Sequence, residues 1–348
     1  MFRTTRPIGI PLHTLLDCAQ AAGAETVHVT SCTSDARQVQ PGDAFFAITT
    51  ATGDGHDDAL LAVDRGAAAI VAERRLPVFE VPQFIVDDSR TAFGQLCQAL
   101  VGNPATDLKL IGVTGSSGKT SVTELLAAVL KAAGACVGTL GTHYYDDGLQ
   151  RVRAFSTTPS PPLLAQWLAR MGAAGCSHGV MEVSSTALAE ASIAGVPLDA
   201  ACVTNIDRDH LDWHGTVENY RRAKARIFDH LQFDGVAVLN ADDQACCRLL
   251  GELPHPALTY GMYQPADVTG RIVERCAGEQ TFIITAGSES AAVRSPIIGA
   301  KHVSNCLAAA SLGLSYGIDL MTIARGLEAV AEIPLAMQRI DCGQPFTV

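Results

Sequence analysis

The chain reads as an α/β protein with a mostly parallel, phosphate-loop-containing sheet, preceded by a smaller α/β domain. Three observations predict this. An apolar strand pattern at Leu108–Val113 passes through a glycine-rich turn into a helical pattern that opens at Lys119. From there to about Leu239, strand and helix patterns alternate, and helices of this length serve as crossovers between parallel strands. Ahead of them, Gly102-Asn-Pro-Ala105 breaks a run of shorter elements. The expected domains are residues 1–104, residues 105–332, and a stretch 333–348 that ends like the opening of a new strand. A chain that stops there is expected to be cut short of a further domain.

In the first domain a helix is expected over Leu12–Ala22, a strand over Ala44–Ile48 and a helix over Asp57–Arg65. Strands at Ala68–Ala72 and Phe84–Val86 and a helix at Thr91–Val101 complete it. In the second, strands fit Leu108–Val113, Cys136–Leu140, Gly179–Val183, Ala200–Thr204 and Val236–Leu239. Helices fit Lys119–Ala133, closed by Gly134, Pro162–Ala173, closed by Gly175, and Val217–Leu231. Between 257 and 297 short strand-like runs such as Thr281-Phe-Ile-Ile-Thr285 suggest an antiparallel edge, followed by helices near His302–Tyr316 and Leu320–Val330.

At 348 residues the chain is too long for one compact core. A net charge of −11 argues against a nucleic-acid partner or an anionic membrane surface. No run approaches the ~20 apolar residues that span a bilayer, and no apolar segment follows the N-terminus to form a signal peptide. A cytoplasmic protein is expected, without membrane insertion. The 11 cysteines contain no C-x-x-C pair and read as reduced, mostly buried small hydrophobes.

The chemistry collects at strand ends. Thr114-Gly115-Ser116-Ser117-Gly118-Lys119-Thr120-Ser121 is a shortened phosphate loop, with Val113 where the longer motif has its first glycine. Its backbone N–H groups and the following helix N-terminus suit an anion. Lys119 would reach the outer phosphates, and the Thr120 hydroxyl would ligate Mg²⁺. Glu182 closes one strand as a hard oxygen ligand beside a triphosphate. Another strand leads through Thr204-Asn205 to Asp209-His210, and a third to Asn240, Asp242 and Asp243. His210 is a candidate ligand, whereas His214 reads as structural or supporting. Ligands of open parallel sheets sit beyond such ends.

Together these segments resemble the Mur ligase family, most closely its MurE branch. The resemblance takes in Thr33–Ala47, Asp54-Gly-His56, Gly115–Ser121, Thr157-Thr158-Pro159, Glu182–Ser185 and Thr204-Asn205. Its narrowest part is Asp209-His-Leu-Asp-Trp-His-Gly215 followed by Tyr220-Arg-Arg-Ala-Lys224. The resemblance implies an ATP-dependent amide ligase of peptidoglycan precursor synthesis. Such an enzyme adds meso-diaminopimelate or L-lysine to UDP-MurNAc-L-Ala-D-Glu through an acyl phosphate. It implies that Thr114–Ser121 and Asn305 hold ATP, with Asn305 near the adenine. Thr120, Glu182, His210 and Lys224 would serve Mg²⁺, Lys224 as N6-carboxylysine, and Lys119, Lys224, His210 and Glu182 would be catalytic. Ala36, Thr157, Thr158, Ser184, Glu190 and Ser192 would face the UDP-muramoyl peptide, whose UDP end the first domain would hold near Thr49–Gly55.

Several positions depart from the family pattern. Thr186, Glu190 and Ser192 replace a histidine, a glutamine and an arginine, Ala36 replaces a serine, and Pro334-Leu335-Ala336 replaces a P-G-R. An arginine lost opposite a carboxylate-rich substrate removes a contact of about 1.5–3 kcal/mol. The ATP machinery thus matches better than the substrate-reading residues. A MurF-type ligase or a non-catalytic nucleotide-binding paralogue remains a rival reading. In this family the incoming amino acid is read by a C-terminal domain, so the chain alone is expected not to complete ligation.

Overall fold

Apolar runs between amphipathic helices fold this chain into two compact units. In the computed structural model, residues 9–16, 27–50, 53–276 and 278–333 are described. One unit takes the residues up to Pro104 with Ser160–Ala169 and Glu190–Val196; the other takes Ala105–Pro159, Arg170–Ala189 and the residues from Pro197 onward.

The first unit holds a four-stranded parallel sheet in the order Cys32–Thr33, Ala44–Phe46, Ala69–Ala72, Gln83–Ile85. Ala44, Phe45 and Phe46 are fully buried, as expected for a strand covered on both faces. The helix Ser89–Leu100 starts where the Asp88 carboxylate accepts from the N–H groups of Arg90 and Thr91. It packs Phe93 against Phe46 with ring centroids 5.2 Å apart.

Boundaries shift from the sequence reading. The Ala44 strand stops at Phe46. The helix expected over Asp57–Arg65 is a 3₁₀ turn, Gly55–Asp58, running into an α-helix, Ala59–Asp64, because the Asp54 carboxylate caps the His56 N–H and tightens the entry. Of the helix expected over Leu12–Ala22, Leu12–Leu15 is helical, and residues 17–22 lie outside the described residues.

The second unit is built on eleven strands among the described residues. Their order is Arg151–Arg153, Tyr144–Asp146, Val137–Leu140, His178–Glu182, Lys109–Thr114, Leu198–Val203, Leu231–Asn240, Ala257–Gly261, Val268–Cys276, Glu279–Ala286, Glu289–Ser295. Pairing is parallel from Val137–Leu140 through to the start of Val268–Cys276 and antiparallel at both ends. The mostly parallel sheet therefore agrees with the sequence reading.

The helix Lys119–Ala132 lays Val122, Leu125, Leu126, Val129 and Leu130, all at most 1% exposed, into the core beneath this sheet. The helices Ala300–Ser315 and Leu320–Glu328 share that core. At Gly326 an added Cβ would lie 2.5 Å from the Val129 Cα, so the two backbones pack in direct contact.

The region expected as one helix over Val217–Leu231 divides. The α-helix ends at Ala225, a 3₁₀ segment covers Arg226–His230, and the next strand starts at Leu231 rather than Val236. Burial of Ile227 and Phe228 on consecutive positions favours the tighter turn. The terminal strand expected before Val348 lies outside the described residues, as do Pro334, Leu335 and Ala336. Among the described residues no helix is long and apolar enough to cross a membrane.

Candidate active site

The strand Lys109–Thr114 lies inside the sheet and delivers the glycine-rich turn to its carboxyl rim. Gly115 has φ +155° and Gly118 φ +88°, backbone states that exclude most side chains. A Cβ on Gly115 would collide with the Thr204 hydroxyl, and one on Gly118 would lie 2.6 Å from Asn305 Oδ1. Both glycines are thus required by contact as well as by φ, and Asn305 stands against the turn.

The neighbouring strand end holds the turn in shape. Asn205 Oδ1 accepts from the Ser117 N–H at 2.9 Å, while its Nδ2 donates to Ser117 O at 3.0 Å. The Thr204 hydroxyl donates to Ser117 O at 2.6 Å, and the Ser116 N–H donates to Asn205 O at 3.0 Å. Lys119 folds back over this cradle and donates from Nζ to Gly115 O at 2.7 Å. Burial lowers its pKa, and the charges of Glu182 and Asp209 oppose that shift.

On the other side, Glu182 ends a strand and is only 1% exposed. Thr120 Oγ1 donates to its Oε2 at 3.0 Å, Thr142 Oγ1 to the same oxygen at 2.9 Å, and the Thr142 N–H to Oε1 at 3.0 Å. A buried carboxylate met by three neutral donors is a set of hard oxygens beside the cradle. Thr157 joins it through its hydroxyl, 3.2 Å from that of Thr142. Thr158 donates to the Glu182 carbonyl at 3.0 Å and accepts from the Ser184 N–H at 3.0 Å. Ser184 spends its hydroxyl locally, 3.0 Å from the Thr186 hydroxyl and accepting from the Ala187 N–H at 3.1 Å.

The third wall is the helix Val217–Ala225. Tyr220 places its hydroxyl 2.8 Å from Ser116 Oγ, and Lys224, 1% exposed, holds Nζ 4.6 Å from the Tyr220 ring centroid. Burial and repulsion from Lys119 push the Lys224 pKa down to about 7, against the pull of Asp209 and Cys246. A large fraction of this amine is therefore neutral at neutral pH.

His210 sits at φ +50° with its side chain 56% exposed, its Nε2 3.5 Å from Asp209 Oδ2. Its ring lies 6.4 Å from that of Tyr220. His214 is buried, with Nε2 2.9 Å from Ser185 Oγ, in keeping with a structural histidine.

The structure therefore brings Thr114–Ser121, Glu182, Thr157, Thr158, Lys224 and Asn305 around one rim, with His210 at its open margin. Ala36, Glu190 and Ser192 belong to the first unit. There Ala36 is buried at the start of a 3₁₀ turn, Glu190 is exposed and Ser192 is half-buried. Among the described residues no group of three or more His, Cys, Asp or Glu forms a metal cage. Two contacts of this rim escaped the sequence reading. Thr142 follows a strand end at Leu140-Gly141, the kind of position that marks the other rim residues; Tyr220 entered only as part of the motif that runs to Lys224.

A parallel sheet whose inner strand feeds a glycine cradle and a helix N-terminus is the architecture of phosphate-loop proteins. The family is narrower. Residues 113–313 match the model of the Mur ligase middle domain, and the chain belongs to the Mur ligase family. A relative from Geobacillus kaustophilus, named UDP-N-acetylmuramoyl-L-alanyl-D-glutamate–2,6-diaminopimelate ligase, is 40% identical over 90% of this chain and 65% of its own length. This chain thus spans about two thirds of that relative. A solved structure of a ligase with the same name superposes with a TM-score of 0.82 at 26% identity, covering 96% of this chain and 69% of that one. The MurF ligase of Thermotoga maritima in complex with ADP gives 0.54 at 25% identity, covering 84% and 65%.

Proposed function

We propose that this chain carries the nucleotide and muramoyl-peptide part of an ATP-dependent ligase that extends UDP-MurNAc-L-Ala-D-Glu by meso-diaminopimelate or L-lysine. The reaction would form an acyl phosphate from the substrate carboxylate and the γ-phosphoryl group, and an amine would then displace phosphate. The observation that carries this reading is the convergence of a half-buried lysine, Lys119, a buried carboxylate, Glu182, and a buried lysine, Lys224, beside one glycine cradle. The higher TM-score with the diaminopimelate ligase than with MurF favours the MurE-type substrate.

In this reading, the first-turn N–H groups after Gly118 and the Lys119 ammonium bind the outer phosphates. Two anions must approach each other in this reaction, and Lys119 offsets their repulsion. The Thr120 hydroxyl and the Glu182 carboxylate are the hard oxygen donors that suit Mg²⁺, with His210 at the margin for a second ion. Mg²⁺, when bound, would neutralise charge shared between phosphate oxygens. Lys224 is proposed to react with CO₂ through its neutral amine. The resulting carbamate anion would join the metal side of the site. Asn305, beside Gly118, is assigned to the adenine. Thr157, Thr158 and Ser184 of the second unit are assigned to the muramoyl peptide, and Ala36, Glu190 and Ser192 are assigned to the same substrate on the first unit by itself. Residues up to Pro104 are proposed as the UDP-binding domain, and a cytoplasmic site of action follows from these substrates.

Equilibrium binding tests the proposal. The purified chain should bind both Mg·ATP and UDP-MurNAc-L-Ala-D-Glu. Binding of Mg·ATP without any UDP-muramoyl peptide would overturn it in favour of a non-catalytic paralogue. Preference for the UDP-muramoyl tripeptide over the dipeptide would overturn it in favour of a MurF-type ligase.

A further inference from the structure

At the end of the second unit's sheet opposite the phosphate loop, two cysteines face each other. Cys136 precedes the strand Val137–Leu140 and Cys176 precedes the strand His178–Glu182; these strands are parallel neighbours, with Val137 paired to His178. The Ser177 N–H and the His178 N–H both donate to the Cys136 carbonyl, at 3.0 and 3.3 Å, so the chain immediately after Cys176 is tied to the Cys136 backbone. Their Sγ atoms are 3.3 Å apart. A disulfide requires the two sulfurs to close to about 2.0 Å. Of the two, Cys136 is exposed and Cys176 is buried. The buried thiol donates to the Asp147 carbonyl at 3.1 Å, and Gly148 covers the pair so closely that a Cβ there would lie 2.6 Å from Cys176 Sγ.

We propose that Cys136 and Cys176 form a redox modification site, in which a peroxide oxidises the exposed thiol and the buried thiol resolves it to a reversible disulfide. The Cys136 thiol gives up its proton and the thiolate attacks one peroxide oxygen; the O–O bond breaks, and the departing hydroxide takes up that proton as water, leaving a sulfenic acid. Cys176 Sγ then attacks the Cys136 sulfur. The S–O bond breaks, and the Cys176 proton leaves with the hydroxide as a second water. The two thiols together lose two electrons, which reduce the peroxide to water. Access and pairing are both needed, and this site alone offers them together among the described cysteines. The Cys32 and Cys97 sulfurs are 3.7 Å apart, but neither residue is exposed. Cys247 and Cys276 are exposed, but each donates to an oxygen rather than to a second thiol, Ala241 O at 3.2 Å and Glu274 Oε1 at 3.6 Å.

The test is hydrogen peroxide titration of the folded chain, alkylation of remaining thiols, and peptide mass spectrometry. The expected result is a peptide pair cross-linked through Cys136 and Cys176 that appears before any Cys32–Cys97 link and disappears on treatment with dithiothreitol. Cys176→Ser should leave a Cys136 sulfenic acid that dimedone traps. Cys136→Ser should leave Cys176 fully alkylatable after denaturation. The proposal is overturned if wild-type Cys136 proceeds to sulfinic or sulfonic acid while Cys176 stays alkylatable. It is equally overturned if peroxide oxidises Cys247 and Cys276 and leaves Cys136 untouched.

Discussion

Lys119 Nζ donates to the carbonyl of Gly115 at 2.7 Å, so the residue that closes the phosphate loop is tethered to the residue that opens it. The ammonium is thereby stored inside the cradle rather than in solvent, and its burial depresses its pKa. An incoming triphosphate would exchange one carbonyl for charged oxygens. Lys119→Ala should therefore weaken Mg·ATP binding by the worth of a charge-assisted bond, about 1.5–3 kcal/mol, or roughly 10- to 150-fold. Isothermal titration calorimetry measures this. Unchanged affinity in the variant would show that the lysine is only a structural helix start.

Lys224 is expected to take up CO₂. With a pKa of about 7, about nine-tenths of the amine is neutral at pH 8 and about one-tenth at pH 6. The carbamate should therefore build up as pH rises through 7. With ¹³C-bicarbonate, a carbamate carbon signal is expected in the wild type and not in Lys224→Arg, whose guanidinium stays protonated. A spectrum without that signal at pH 8, from protein that still folds, would refute the assignment.

His302 gives the second unit an acid sensitivity. It is 1% exposed, 2.9 Å from Ser295 Oγ, and burial lowers its pKa from 6.5 to about 4. Because the folded value lies below the unfolded one, the unfolded chain binds the proton first. The neutral ring's contribution is thus present above pH 6.5 and is lost as pH falls towards 4, by roughly 3 kcal/mol at most. Melting curves of the wild type should fall more steeply over that window than those of His302→Gln. Parallel curves would locate the acid sensitivity elsewhere.

Gly326→Ala should destabilise the second unit. The new methyl would meet the Val129 Cα at 2.5 Å and the Val129 N at 2.9 Å, backbone atoms that cannot rotate away. Overpacking costs about 1–3 kcal/mol, against a helix-propensity gain of up to about 1 kcal/mol. The overpacking term wins. A lower denaturant midpoint is expected, and a variant as stable as the parent would contradict the close packing of the two helices.

How much of this was legible depended on where each residue draws its partners. The central strands announce themselves as apolar runs because both their faces are covered. The Tyr144–Arg153 hairpin does not, since an exposed edge such as Arg151-Val-Arg153 has no apolar code to read. Lys224 could be placed beside Tyr220 because four residues on a helix is local geometry. Thr142 could not be placed beside Glu182. That contact depends on the pairing of Leu140 with Met181, a register set by two strands separated in sequence by a hairpin and a helix. The split of the expected 217–231 helix was hidden for a related reason, since packing of Ile227 and Phe228 rather than local propensity decides it.

The antiparallel ends of the large sheet also decide what the sheet can become. At one rim Arg151–Arg153 is wholly exposed, with Arg151 paired to Glu124 at 2.7 Å. At the other, the Arg294 N–H donates to the Glu328 carboxylate at 2.9 Å, and the Arg294 side chain pairs with Glu279. A foreign strand docking on either border would have to strip water from these charges or displace a carboxylate already bound to the backbone. Growth of the sheet by accretion is thereby discouraged at both borders, and so is the route from this parallel core to cross-β aggregates.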